Sequence, residues 1–275
     1  MVGRKVLSGN VIKLMIVLVC LALLLGGPAA LAVARSSTQL DWSQMRWDSA
    51  GLAPDPATHP EAVVQVYAAR SWGWKGAFAV HSWIAMKPEG SRAYERYDVV
   101  GWGVPGRSAV RQNLRPVDGY WAGNLPEVVG ELRGQAAAAA IPKLREAIAR
   151  YPYRDVYRLW PGPNSNTFVA WVVRAVPELK VAMPANAVGK DWLPLTRPAA
   201  LTPSGTGAQV SLFGLLGVAA GVEEGLEVNV LGETVGIDPK HLAVKLPGFG
   251  SVGLRTNEPS KVGYDPPAGA EKARG

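Results

Sequence analysis

Ser165 lies in the run Trp160-Pro161-Gly162-Pro163-Asn164-Ser165-Asn166-Thr167-Phe168, immediately before an apolar stretch with helical spacing. A hydroxyl residue at a helix start meets unpaired backbone N–H groups and the positive end of the helix dipole, which stabilise an anion nearby. The dipole alone does not activate serine, so a nucleophilic Ser165 requires an adjacent general base. His81, inside the strand-like GAFAVHSWIAMK, is the best placed histidine; His59 sits in a proline-rich linker and His241 follows an Asp238-Pro239 turn. A symmetric turn between Met86 and Ala93 puts His81 opposite Asp98, where a carboxylate would fix the imidazole tautomer. A slip of two residues would put Arg96 or Val100 there instead. Ser165, His81 and Asp98 are therefore the catalytic candidates, for attack on an amide or ester. The same residues also fit a plainer role. Serine is a favoured N-cap, and a lone histidine on an apolar strand is commonly a hydrogen-bonded core residue.

The elements that must position these groups are short, because glycine and proline together number 53. Glu61 to Ala69, Gly76 to Lys87 and Ala93 to Gly103 carry the β-branched and aromatic residues of strands, with Pro88-Glu89-Gly90-Ser91 as turn chemistry. Leu125 to Ala149 reads as helical, broken or restarted at Pro142, and Asn166 to Val176 as a short helix stopped by Pro177. Pro184 to Pro203 reads as loop. Val210 to Ala220 and Leu226 to Gly236 are apolar and glycine-rich, and their periodicity does not decide their structure.

Residues Leu14 to Ala34 form a charge-free run of 21, about the length that crosses the hydrocarbon core of a bilayer. Arg4, Lys5 and Lys13 precede it without an acidic residue, which predicts a cytoplasmic N-terminus and places the rest on the extracytoplasmic side. A cleavable signal would use Ala30-Leu31-Ala32 or Ala32-Val33-Ala34; a retained single-pass anchor fits the full span better. Val19 before Cys20 is too bulky for lipoprotein cleavage. The organisation expected is a cytoplasmic N-terminus 1–13, an anchor 14–34, a linker 35–60, one globular domain 61–255 and a disordered tail 256–275.

The net charge of +7 includes +3 from Arg4, Lys5 and Lys13, and no dense basic run occurs later, so no nucleic-acid partner is expected. The single cysteine, Cys20, excludes a disulfide framework and a cysteine-ligated metal. Neither a metal nor another cofactor is expected. Glu223, Glu224 and Glu227 lack a histidine at ligand spacing and read as a solvated face, and Pro203-Ser204-Gly205-Thr206-Gly207 reads as a turn rather than a phosphate loop. Trp72, Trp74, Trp83 and Trp102 crowd the hairpin. Asn164, Asn166, Trp83 and Trp160 are the candidate contacts for a bound peptide, lipid or glycan of the envelope.

The order of FAVHSWIAMK before PGPNSNTFVAW resembles circularly permuted papain-like families, the NlpC-type peptidases and the lecithin–retinol acyltransferase group. In these a strand histidine precedes a nucleophile set in an Asn-Cys-Asn/Glu-X-Phe-like sequence. Asn164, Asn166 and Phe168 match that surround, Ser165 stands where the cysteine would be, and His81 and Asp98 take the other two places. GAFAVHSWIAMK, YDVVGWG, WPGPNSNTFVAWV, AVGKDW, PSGTGAQVSLFGLLG and EGLEVNVLG resemble the bacterial family called domain of unknown function 3750. That likeness implies membrane association and supplies no activity. The fold expected is α+β, with a central antiparallel sheet, flanking helices and one N-terminal transmembrane helix. The function expected is a hydrolase or acyltransferase with serine in place of cysteine; an inactive envelope protein that binds or builds with the same cleft is the alternative.

Overall fold

Two sheets, rather than the single central sheet expected, organise the chain. The structure is a computed structural model and describes residues 9–36, 44–254 and 260–262. It begins with α1 (Gly9–Ser36), bent by 40° between Gly9–Val19 and Leu24–Arg35. No single helix among the described residues is long and apolar enough to cross a membrane, and the two parts of α1 pass that test only together. Gly27 and Pro28 pack α1 against the Pro247–Phe249 turn. The expected tail, residues 256–275, lies outside the described residues except for 260–262.

The first sheet contains β1 (Val63–Arg70), β2 (Val80–Lys87), β3 (Glu95–Val99), β4 (Val110–Gln112) and β5 (Glu127–Arg133). Its order is β5-β1-β2-β3-β4, all antiparallel. β5 falls where helix was expected. A register shift opposite Val66 and Tyr67 interrupts its alternation, and Gly130 leaves room for Val181, whose Cγ2 would lie 2.2 Å from a Cβ there.

β1 and β2 are buried along almost their whole length because both faces are covered. Val64, Val66, Ile84 and Met86 face α2 (Gly134–Ala149) and α3 (Ser165–Arg174), while Tyr67, Trp83 and Val100 pack with Trp121 on the other face. Pro142 does not break α2 as expected. Ala137, Ile141, Leu144 and Ile148 bury one stripe at helical spacing, and that packing outweighs the one backbone hydrogen bond proline removes.

The second sheet is a seven-stranded antiparallel meander: β6 (Ala199–Leu201), β7 (Gly207–Leu212), β8 (Leu216–Gly221), β9 (Gly225–Val230), β10 (Glu233–Asp238), β11 (Ala243–Leu246) and β12 (Gly250–Gly253). It resolves the two segments whose periodicity was undecided. β13 (Ser260–Val262) returns to pair in parallel with β5 of the first sheet.

The meander is polar on its inner side. Gln209, Ser211, Glu227, Asn229 and Lys245 are buried, whereas Val210, Val218, Val228 and Val244 between or beside them are exposed. The inner charges are paired. Lys190 Nζ donates to Glu227 Oε2 at 2.5 Å and to Asp191 at 2.9 and 3.0 Å, and Lys245 Nζ donates to Glu227 Oε1 at 2.5 Å. The acidic cluster expected on a solvated face is therefore buried. Glu224 accepts from Ser204 N and Oγ at 2.9 and 2.8 Å, so the Ser204 turn wraps an internal carboxylate.

Candidate functional site

Asn164, not Ser165, caps α3. Its Oδ1 accepts from Asn166 N at 2.9 Å and Thr167 N at 3.2 Å, and Thr167 Oγ1 accepts from Asn164 N at 3.2 Å, completing a capping box. Asn164 Nδ2 donates to Leu159 O and Val188 O, which fixes the amide. Gly189 makes room for it: φ there is +96°, and a Cβ would fall 2.4 Å from Asn164 Nδ2. Ser165 is thereby relieved of capping. It is 4% exposed, lines a cavity, and its Oγ makes no hydrogen bond among the described residues. The Asn-x-x-Thr spacing carries this capping signal in the sequence.

The hairpin register differs by two residues from the symmetric expectation. Ile84 pairs with Tyr97 and Met86 with Glu95, so the ladder runs on toward Val100, not Asp98, opposite His81. The turn holds two residues more than assumed. Parity is preserved, however, and Asp98 remains on the face of His81. His81 Nε2 and Asp98 Oδ1 are 3.0 Å apart, a diagonal contact.

Arg96, on the same face, donates to Asp98 Oδ2 at 2.7 Å and Oδ1 at 2.8 Å. Burial pushes the Asp98 carboxyl up, but the Arg96 charge and the hydrogen bonds from His81 and Arg96 together hold it at about 2. Asp98 is then ionised and can only accept, so His81 Nε2 carries the proton and Nδ1 keeps a lone pair. Burial lowers the His81 pKa below its ordinary 6.5 against the opposing pull of Asp98. The ring lies flat on Trp121, with centroids 3.6 Å apart and planes at 6°.

His81, Asn164, Ser165 and Asn166 line one open cavity of about 760 Å³. No hydrogen bond joins Ser165 Oγ to the His81 ring among the described residues. Asn166 ties the two elements together: its Nδ2 donates to Val80 O at 3.0 Å and its Oδ1 accepts from Ser82 Oγ at 2.7 Å. The N–H groups of residues 166 and 167, expected to hold an oxyanion, are already taken by the Asn164 cap. Ser165 N–H is the helix-start donor that the cap leaves over.

The remaining lining is largely apolar and comes from distant parts of the chain: Leu21, Leu24 and Leu25 of α1, then Trp72, Trp74 and Trp102, with Ser71 and Lys75 as its polar members. Trp160 also lines the cavity and donates from Nε1 to Leu231 O at 2.8 Å. Trp83 does not line it as expected; it is fully buried, stacked on Tyr67 at 5.3 Å and held by Val117 O. The meander adds Val230, Leu231 and Glu233. Burial raises the Glu233 carboxyl from 4.5 to about 7, against a hydrogen bond from Gly248 N and the nearby Arg70 charge. Trp121 and Glu233 sit in no motif, and only the fold brings them to the site. Among the described residues no cluster of side chains could hold a metal ion.

No curated protein and no solved structure matches the chain. Residues 61–192, which carry His81, Asp98, Asn164, Ser165 and Asn166, match the model of the family described as "Protein of unknown function (DUF3750)".

Proposed function

We propose that the protein is a serine-dependent hydrolase or acyltransferase of the papain-like type, seated in the membrane by α1 with its site on the extracytoplasmic side. The observation that carries this reading is that Ser165 and His81 line one cavity, with neither Ser165 Oγ nor His81 Nδ1 hydrogen-bonded among the described residues and the imidazole held through Nε2 by Asp98. In the reaction Ser165 Oγ attacks the carbonyl carbon of an amide or ester while His81 Nδ1 takes the hydroxyl proton. The oxyanion forms beside Ser165 N–H at the start of α3. Collapse expels the amine or alcohol, which takes the proton from His81. Water, or a second alcohol or amine, then attacks the acyl-serine with His81 again as base and releases Ser165. Asp98 stabilises the imidazolium in both halves. The apolar lining favours a substrate with a large hydrocarbon portion.

A second reading, a binding cleft without chemistry, is favoured by one specific observation: Ser165 Oγ and His81 are not hydrogen-bonded to each other among the described residues. A fluorophosphonate probe separates the two. Under the catalytic reading it labels the full chain at Ser165, and His81→Ala reduces labelling at least about 100-fold, the scale of general-base catalysis. A folded protein inert to such probes supports the binding cleft.

A further inference from the structure

The meander carries its polar residues inward and leaves its other face unpartnered. Cross-strand pairing puts Val210, Val218 and Val228 in one row, and Leu226, Ile237 and Val244 in another, on that same outer side. All six are exposed. Among the strand residues on this side only Glu233 is charged, and it stands at the end where the sheet meets the cavity. Seven strands about 4.8 Å apart, each about five residues long, cover a footprint on the order of 500 Å². That equals the largest apolar patch of a typical soluble monomer, about 300–600 Å².

Two further observations say what covers it. The helix α1 is docked beside this sheet, with Gly27 and Pro28 against the Pro247–Phe249 turn, and its own Leu14, Val17, Leu18 and Val19 are exposed. A second copy of the chain could cover the sheet but would leave the helix bare, whereas a bilayer covers both. The length of α1 points the same way. From Gly9 to Leu21, the first of its residues to line the cavity, the helix rises ~18 Å at ~1.5 Å per residue. A hydrocarbon core is about 30 Å thick, so a helix that enters the membrane with these residues draws the docked domain down into the near leaflet. The exposed Trp74, Trp102 and Trp160 around the cavity mouth are the side chains that favour the headgroup boundary.

We propose that the outer face of the seven-stranded meander is a lipid-facing surface, which together with α1 seats the domain in one leaflet and opens the cavity to acyl chains of the bilayer. The proposal is independent of whether Ser165 is a nucleophile, since none of the surface residues belongs to the catalytic set.

The test uses the full chain in vesicles of phosphatidylethanolamine and phosphatidylglycerol, with Cys20→Ser and one new cysteine carrying a polarity-sensitive fluorophore. Val218→Cys and Val228→Cys report on the sheet face; Glu146→Cys, on the exposed side of α2, is the aqueous control. Lipids brominated in their acyl chains are expected to quench the probe at 218 and 228 at least about 3-fold more than at 146, in the contact regime of an interfacial surface. Equal quenching at all three positions would overturn the proposal. So would pyrene excimers between copies labelled at Val228 that survive dilution with excess lipid, because they would assign the face to a second copy. Near-ultraviolet circular dichroism of each variant confirms that the tryptophan environment is kept.

Discussion

Asn166 Oδ1 accepts a 2.7 Å hydrogen bond from Ser82 Oγ, so the N-terminal end of α3, which carries Ser165, is fastened to the residue that follows His81. The same amide donates to Val80 O, the residue before His81, and to Val188 O at 2.8 Å. All of these groups are buried. Asn166→Ala would take these partners from Val80 O and Ser82 Oγ, while Val188 O keeps the bond from Asn164 Nδ2, and unsatisfied buried groups cost about 1–3 kcal/mol each before relaxation. A loss of about 2–4 kcal/mol in denaturant unfolding is expected, together with loss of probe labelling at Ser165. A change below 0.5 kcal/mol, taken as an approximate limit for a neutral surface change, would contradict this fastening.

The division of labour between Asn164 and Ser165 gives a contrast that one stability experiment can read. Asn164→Ala removes the cap and should cost about 1–2 kcal/mol. Ser165→Ala removes an oxygen that bonds nothing among the described residues, and should change stability by about 0.5 kcal/mol or less while abolishing labelling. Reversed magnitudes would make Ser165 the structural residue.

Ser165→Cys, made with Cys20→Ser, tests the electrostatics of the helix start. Dipole, Ser165 N–H and a neighbouring imidazole should all favour the thiolate, lowering the thiol below the usual pKa of about 8.5. Alkylation rates measured against pH would locate the midpoint, and a midpoint at or above that of a free thiol would refute an anion-stabilising site.

Under the catalytic reading, the His81 base of the unmodified protein must be neutral. Because burial lowers His81 below 6.5, labelling should stay flat as pH falls through 6.5 and decline only in more acid solution. A decline centred above 6.5 would oppose this assignment. Linkage gives the stability sign: the unfolded chain takes up protons at His81 below pH 6.5 and at Asp98 below pH 3.8, before the folded protein does. Both groups therefore make the fold lose stability as pH falls.

Glu233 acts in the opposite direction. Its pKa is raised from 4.5 to about 7, so the folded protein holds a proton that the unfolded chain has released. Its contribution lowers stability as pH rises across that window and is constant above it. Glu233→Gln should flatten this part of the pH–stability curve, and an unchanged slope between pH 4.5 and 7 would show that the carboxyl is not buried in this way.

Much of the site was legible because it is local. Asn164, Ser165 and the apolar run after them announce a helix start, and residue parity alone put His81 and Asp98 on one face. The register was not legible, since the length of a turn does not say how many of its residues pair. Leu125 to Arg133 misled because the alanine run that follows is strongly helical, while a seven-residue strand with a glycine and a register shift shows no clean alternation. The meander hid its nature for a different reason. Ala-Gln-Val-Ser-Leu and Leu-Glu-Val-Asn-Val alternate, but alternation does not reveal which side faces the protein, and here the usual side is reversed.

The buried Lys190–Asp191 pair adds a point about where this protein can be cut. The family match ends at Trp192, one residue beyond that pair, yet Glu227 and Asn229 from the meander supply the counter-charge and the hydrogen bond that keep it inside, with Lys245 bonded in turn to Glu227. A fragment trimmed to the matched residues would expose an ion pair shaped for a missing partner and lose the wall formed by Val230, Leu231 and Glu233. The seam between the two sheets is a zip of charge rather than a hinge, and the recognisable half of the chain does not amount to a free-standing module.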